Sequence, residues 1–270
     1  MASELETALA LAREAGEEAH AMQRGDLHVQ MKPGEEPVTI ADQRASEFIV
    51  AALRKSFPDD TIVSEELAPT PGWEQGKRIW FVDPIDGTKD FIRREDGWAV
   101  MIGLVVGGRP TMGVVHQAAA DRTFWATPAG AFWRHGTDEG PLHVSDIALA
   151  ADARLVASKS HRQPIMDDIK ERLGIGNELN VGSVGVKLCL IASGLRDLYV
   201  NPAAKTKAWD TCAPEAILVR AGGRLSDLAG EPVSYAELPQ RNGLVASNGH
   251  VHDEVIAKLG TLFPRGNLSG

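Results

Sequence analysis

Two acids three positions apart, Asp83 and Asp86, end an apolar run in "WFVDPIDGTKDF" and are followed at once by Gly87 and Thr88. Pro84 fixes one backbone torsion between them and Gly87 permits a tight turn, so both carboxylates can address one point. A second acidic pair, Glu65 and Glu66 in "SEE", closes another β-prone run. Like charges about 4 Å apart repel by about 1 kcal/mol in water and about 4 kcal/mol at an effective dielectric near 20, so clustered acids need a countercharge. The neighbouring sequence offers no obvious buried arginine for that purpose. Oxygen-only donors favour a hard cation, and Mg²⁺ suits carboxylates, a backbone carbonyl and water. An EF-hand is excluded: its glycine belongs at the sixth loop position, and Gly87 is fifth from Asp83. The competing reading is that Asp83 and Asp86 only shape the turn or cap a helix near Lys89. Asp210, in "KAWDTCAPEAILVRAGG", and Asp42, in "VTIADQ", stand where helices are expected to begin, Asp210 just ahead of its helix.

The elements that must position these acids follow from periodicity. Leu5, Ala8, Leu9, Ala12, Ala15, Ala19 and Met22 recur at helical steps over residues 4–23. A second helix fits 41–56 and stops at Phe57-Pro58. Short β-prone runs follow at 61–64, 79–82, 98–106 and 111–117, the last two joined by the turn signal "GGRP" as the central hairpin of a mostly antiparallel sheet. Further strands fit "TFWAT" and "GAFWR", and 136–153 reads as loop. From "RLVAS" onward strands alternate with helical stretches at 163–173, 184–193, 211–221 and 250–262, an α/β pattern. The expected division is an α+β domain over 1–150 carrying most of the acids and an α/β domain over 151–270 carrying Asp210.

Taken together, "SEE" at 64–66, "DPIDGT" at 83–88 and "WD" at 209–210 resemble, in order and separation, the inositol monophosphatase superfamily of Mg²⁺-dependent, lithium-sensitive phosphatases. The resemblance covers nearly the whole chain and implies a layered αβαβα sandwich. It further implies that Glu65, Asp83, the Ile85 carbonyl, Asp86 and Asp210 hold two or three Mg²⁺ ions, with Glu66 an acid behind them. Thr88 and Asp42 match the pair that orients and deprotonates the attacking water, and the backbone at Gly87 and Thr88 can hold the phosphate. "SKSH" at 158–161, "VGSVGVKLCLIASG" at 181–194 and "KAWDTCAPEAIL" at 207–218 look most like the 3'(2'),5'-bisphosphate nucleotidases. Inositol-specific members usually carry a glutamate seven residues before the "WD" aspartate, and Ala203 stands there instead. Ser160, His161, Lys187, Lys205 and Lys207 are the expected substrate contacts. Inositol monophosphate, fructose 1,6-bisphosphate and histidinol phosphate are the rival substrates, and a non-catalytic metal- or nucleotide-binding regulator is the rival class.

The whole chain agrees with such an enzyme. It has 270 residues, 43% of them hydrophobic, enough to bury a large core. A net charge of −9 argues against a nucleic acid polymer as partner but leaves room for a small anion held locally. The chain shows neither a membrane-length apolar run nor a signal-peptide layout, so a cytoplasmic location is expected; whether it forms a homodimer is left open. Two cysteines, Cys189 and Cys212, read as packed thiols.

Overall fold

The computed structural model describes residues 2–32, 36–160 and 162–263. Helix α1 (Ala2–Met22) is followed by a small antiparallel hairpin, β1 (Gln30–Lys32) and β2 (Glu36–Val38), and then by α2 (Ile40–Ser56). A seven-stranded sheet comes next, made from β3 (Thr61–Ser64), β4 (Arg78–Asp86), β5 (Ala99–Val106), β6 (Arg109–Gln117), β7 (Arg122–Thr127), β8 (Gly130–His135) and β9 (Asp138–Pro141), in that spatial order. The short helix α3 (Thr88–Ile92) interrupts it after β4. The remaining elements are β10 (Leu155–Ser158), α4 (Ile165–Leu173), β11 (Glu178–Val181), α5 (Val184–Ala192), β12 (Leu198–Asn201), α6 (Ala208–Arg220), β13 (Arg224–Ser226), β14 (Leu244–Ser247) and α7 (His252–Leu259). Their five strands form a mixed sheet in the order β11-β10-β12-β14-β13.

The layering follows from which face of each strand is apolar. Strand β4 is buried on both faces: Trp80 and Val82 pack with α1 and α2, while Ile79 and Phe81 pack with α5 and α6. Strand β5 divides the same way, Val100, Ile102 and Leu104 one way and Ala99 and Met101 the other. The second sheet buries Val156, Tyr199 and Ala246 toward α5 and α6, and Leu155, Ala157, Leu198, Val200 and Val245 toward α4 and α7. The result is the αβαβα sandwich that the motifs implied. No helix among the described residues is long and apolar enough to cross a membrane.

One contact brings the halves of the chain to a common point. Gly103 and Gly113 face each other across β5 and β6, and a Cβ on either would run into the Cys212–Ala213 backbone of α6. Lacking side chains there, the sheet lets α6 lie directly on it, which carries Asp210 over the end of β4.

Three expectations need correction. Residues 136–153 are not all loop: β9 completes the sheet edge and 150–152 form a 3₁₀ turn. The edge strand "DEGP" is polar and largely exposed, so it carries no apolar alternation to reveal it. Asp83 and Asp86 do not leave the strand but lie within it, β4 continuing to Asp86 through a register shift against β5. Asp210 does not precede α6; it occupies the helix's third position, and its Oδ2 accepts the Lys207 backbone N–H at 2.7 Å.

Candidate active site

Each acid reaches the site for a local reason. Thr39 caps α2, and Asp42 closes the capping box: its Oδ2 accepts the Thr39 backbone N–H at 2.8 Å and the Thr39 hydroxyl at 2.6 Å. That leaves Oδ1 facing Thr88, whose Oγ1 donates to it at 3.2 Å. The Ile85 carbonyl lies 3.1 Å from the same hydroxyl, so one proton has two acceptors. At the β4 bulge, Asp83 Oδ1 accepts the Ile85 N–H at 3.1 Å. Gly87 takes φ +96°, where a Cβ would meet the Gly97 carbonyl, and this left-handed turn starts α3 at Thr88.

The second half grips the first at Asp86. Its Oδ2 accepts the Ser183 hydroxyl at 2.5 Å and the Gly185 N–H at 2.7 Å, at the N-terminal turn of α5. Ser183 also caps that helix through Val186 N–H at 3.0 Å. Sequence reasoning missed Ser183, although a serine directly before a helical stretch is a cap signal.

Asp83, Asp86, Asp210, Glu65, Ile85, Gly87 and Thr88 all line one cavity of about 460 Å³, with Asp42 behind Thr88. Burial, reinforced by mutual repulsion, holds the Asp83 and Asp210 carboxyls well above the carboxylate range. Asp86 and Glu65 are also raised by burial, despite the opposing pull of Lys187 and Lys32 respectively. Burial lifts Asp42 to about 6. The countercharge that the sequence did not reveal is Lys32, whose Nζ lies 3.0 Å from Glu65 Oε1 and 2.6 Å from Glu66 Oε1. Burial alone would lower the Lys32 pKa, but the two glutamates hold it above its usual value. The Pro-Gly pair in "MKPGEEPV" is the turn signal that could have marked this hairpin.

The donor set fits a hard divalent cation: four carboxyl groups and a backbone carbonyl, all oxygen, lining one cavity. Among the described residues no three acidic, His or Cys side chains already close on a point at ligand distance. Glu65, Asp83, Asp86 and Asp210 instead each give an oxygen to Lys32, Ile85 N–H, Ser183 or Lys207 N–H. Glu66 stands beyond them, bound to the same lysine.

The expected substrate contacts divide. Lys205, Lys207 and Ser160 line the cavity, and the Ser160 hydroxyl accepts from Arg93 at 3.0 Å. His161 lies outside the described residues. Lys187 borders the cavity but is 1% exposed, donating to the Gly182 and Val181 carbonyls at 2.7 and 3.2 Å and lying over the Tyr199 ring. Burial lowers its pKa to about 8 against the attraction of Asp86, Asp90 and Asp210. Helix α5 turns this lysine inward, an orientation that proximity in sequence could not give.

The inositol monophosphatase family model matches residues 1–262, and the sandwich is the fold of solved members; the chain belongs to that family and is a phosphatase. Among its relatives, the 3'(2'),5'-bisphosphate nucleotidase CysQ of Escherichia coli (strain K12) is 34% identical over 230 residues, 83% of this chain and 91% of that protein. The histidinol-phosphatase of Mycobacterium tuberculosis is 34% identical over 240 residues, 87% and 88% of the two chains. The solved structure of the Thermotoga maritima IMPase gives a TM-score of 0.82 at 26% identity, covering 96% of this chain and 98% of that one. CysQ from Bacteroides thetaiotaomicron gives 0.77 at 28% identity, covering 92% and 97%.

Proposed function

We propose that this phosphatase removes the 3'-phosphate of 3'-phosphoadenosine 5'-phosphate, with Mg²⁺ held by Glu65, Asp83, the Ile85 carbonyl, Asp86 and Asp210. The observation that carries the substrate assignment is the cavity wall beside Asp210, where Ala203, Lys205 and Lys207 stand together. Ala203 offers no side-chain acceptor for polyol hydroxyls. The two lysines supply cations for a second phosphate, and charge-assisted hydrogen bonds contribute about 1.5 to 3 kcal/mol each.

When bound, the ions lower the pKa of the attacking water and neutralise charge on the phosphoryl oxygens. The chain's own residues do the rest. Thr88 donates its proton to Asp42 and so keeps its lone pairs for a water O–H, aligning that water for in-line attack. As the water gives a proton to Thr88 Oγ1, Thr88 passes its own to Oδ1 of Asp42, whose other oxygen is fixed by Thr39. The N–H groups at the start of α3 receive the phosphoryl oxygens, and the nucleoside 3'-oxygen leaves, taking up a proton from solvent to become the 3'-hydroxyl.

The test is phosphate release from 3'-phosphoadenosine 5'-phosphate, inositol 1-phosphate, fructose 1,6-bisphosphate and histidinol phosphate, with Mg²⁺ and with chelator. The nucleotide is expected to show the highest kcat/KM, and chelator to stop turnover. A higher value for histidinol phosphate would favour the second reading, to which the relatives named histidinol-phosphatase point. Equal turnover with chelator would remove the metal from the mechanism.

A further inference from the structure

Another cavity, of about 330 Å³, opens at the far end of α5 and shares no residue with the catalytic one. Ser193 and Leu195 border it where that helix ends, while its first turn holds Asp86, so a helix about 14 Å long separates the two sites. Two rungs of the first sheet form one wall. Phe124 in β7 faces Trp133 in β8, and on the next rung Arg122 faces His135. Side chains two positions apart in a strand share a face, so all four stand on the same side of the sheet. Phe124 and Leu142 are buried in the core and Trp133 packs against it, which makes the first rung apolar. The second rung is basic, His143 also lines the cavity, and no acid does, in a chain whose net charge is −9. The opposite face of the same strands shows what these cations lack. There Arg134 donates to Glu139 at 3.0 and 2.8 Å, and its guanidinium lies over Trp125. Among the described residues the side chains of Arg122, His135 and His143 make no hydrogen bond and no ion pair, Asp138 included, although it is the register partner of His135 in β9. Basic side chains opposed across two strands disfavour each other when both are charged, and an anion between them removes that cost.

We propose that this cavity is a binding site, separate from the catalytic one, for a small organic anion with an apolar body, of the arylalkanoic acid class. Its carboxylate is held by Arg122 and its ring lies against Phe124, Trp133 and Leu142. The planar fork of an arginine matches both oxygens of a carboxylate. The two rungs are about 7 Å apart, close to the distance from carboxylate to ring in such acids. The volume falls within the range of small-molecule sites, which combine a mostly apolar lining with a few polar groups that fix orientation. A sugar phosphate would leave the Phe124 and Trp133 rung facing hydroxyls, which separates this ligand class from the substrates of the catalytic cavity.

Isothermal titration of the whole chain with 4-phenylbutyrate and with the neutral 4-phenylbutyramide tests this. The acid is expected to bind one to one, and the amide about 10- to 100-fold more weakly, the range for losing charge-assisted hydrogen bonds. Arg122→Gln should weaken the acid by the same factor while leaving the amide, and phosphate release at the catalytic site, within threefold of wild type. Leu195 is 55% exposed, so Leu195→Glu keeps the fold and places a carboxylate at the mouth, and it too should weaken the acid. Equal binding of acid and amide to wild type, no binding of the acid, or binding that both variants leave unchanged each overturns the proposal. So does a homodimer seen by sedimentation that Leu195→Glu dissociates without any acid bound, because a second copy of the chain then covers the cavity.

Discussion

At Thr88 a single hydroxyl proton lies between the Asp42 carboxylate and the Ile85 carbonyl, and in the proposed mechanism its choice of acceptor orients the water. Thr88→Ala is expected to lower kcat by about 10² to 10⁴-fold, the range of positioned acid–base groups, while Mg²⁺ affinity stays within threefold. Isothermal titration beside steady-state kinetics separates the two, and a kcat within threefold of wild type would exclude Thr88. Asp42 adds a pH signature. Its folded pKa, about 6, is raised above the unfolded value near 3.9, so its contribution to stability is full below about pH 4 and is lost as pH rises through 6. Asp42→Asn cannot titrate. In chelator, its stability relative to wild type should therefore rise by on the order of 3 kcal/mol between pH 4 and pH 7. Denaturant unfolding at each pH checks this, and a pH-independent difference would contradict the raised pKa.

Among the elements, α6 matters most to the site, since Asp210 is only as well placed as the helix that bears it. That helix rests on Gly103 and Gly113, and Thr211, next to Asp210, accepts from Gln240 at 2.6 Å and Tyr235 at 3.2 Å. Gly113→Ala forces a methyl into the Ala213 backbone, so α6 must lift from the sheet. Overpacking of this kind costs about 1 to 3 kcal/mol. Mg²⁺ affinity should fall with stability in this variant, although residue 113 touches no acid of the site. Unchanged affinity in a destabilised but folded Gly113→Ala would mean that α6 does not set the position of Asp210.

For the whole molecule, the two sheets share α5 and α6 between them, and bonds such as Ser183 to Asp86 at the cavity and Lys159 to Glu95 at the surface join the halves. Trp73, Trp80, Trp98, Trp125 and Trp133 precede residue 150 and only Trp209 follows it, so fluorescence reports mainly on the first half while far-ultraviolet circular dichroism reports on both. The two signals are expected to lose structure in one coincident transition. Mg²⁺ at 100 times its Kd should move that transition upward at neutral pH by about 2.7 kcal/mol. Separate midpoints would show halves that fold independently.

The sequence by itself determined the acids, their order and most of the elements, because these are local: a helical period in 4–23, proline after Phe57, and a bend forced by Pro84 and Gly87 are fixed by near neighbours. It also determined the family, since three short motifs at set separations are jointly specific. What only the tertiary structure decided is where side chains from distant segments point. Helix α5 turns Lys187 onto the Gly182 carbonyl at the cavity border, and Lys32, whose sequence neighbours Glu35 and Glu36 gave no sign of residues 65 and 66, proved to be the cation on Glu65 and Glu66. Burial and pairing depend on contacts between residues far apart in the chain, and local pattern carries no record of those.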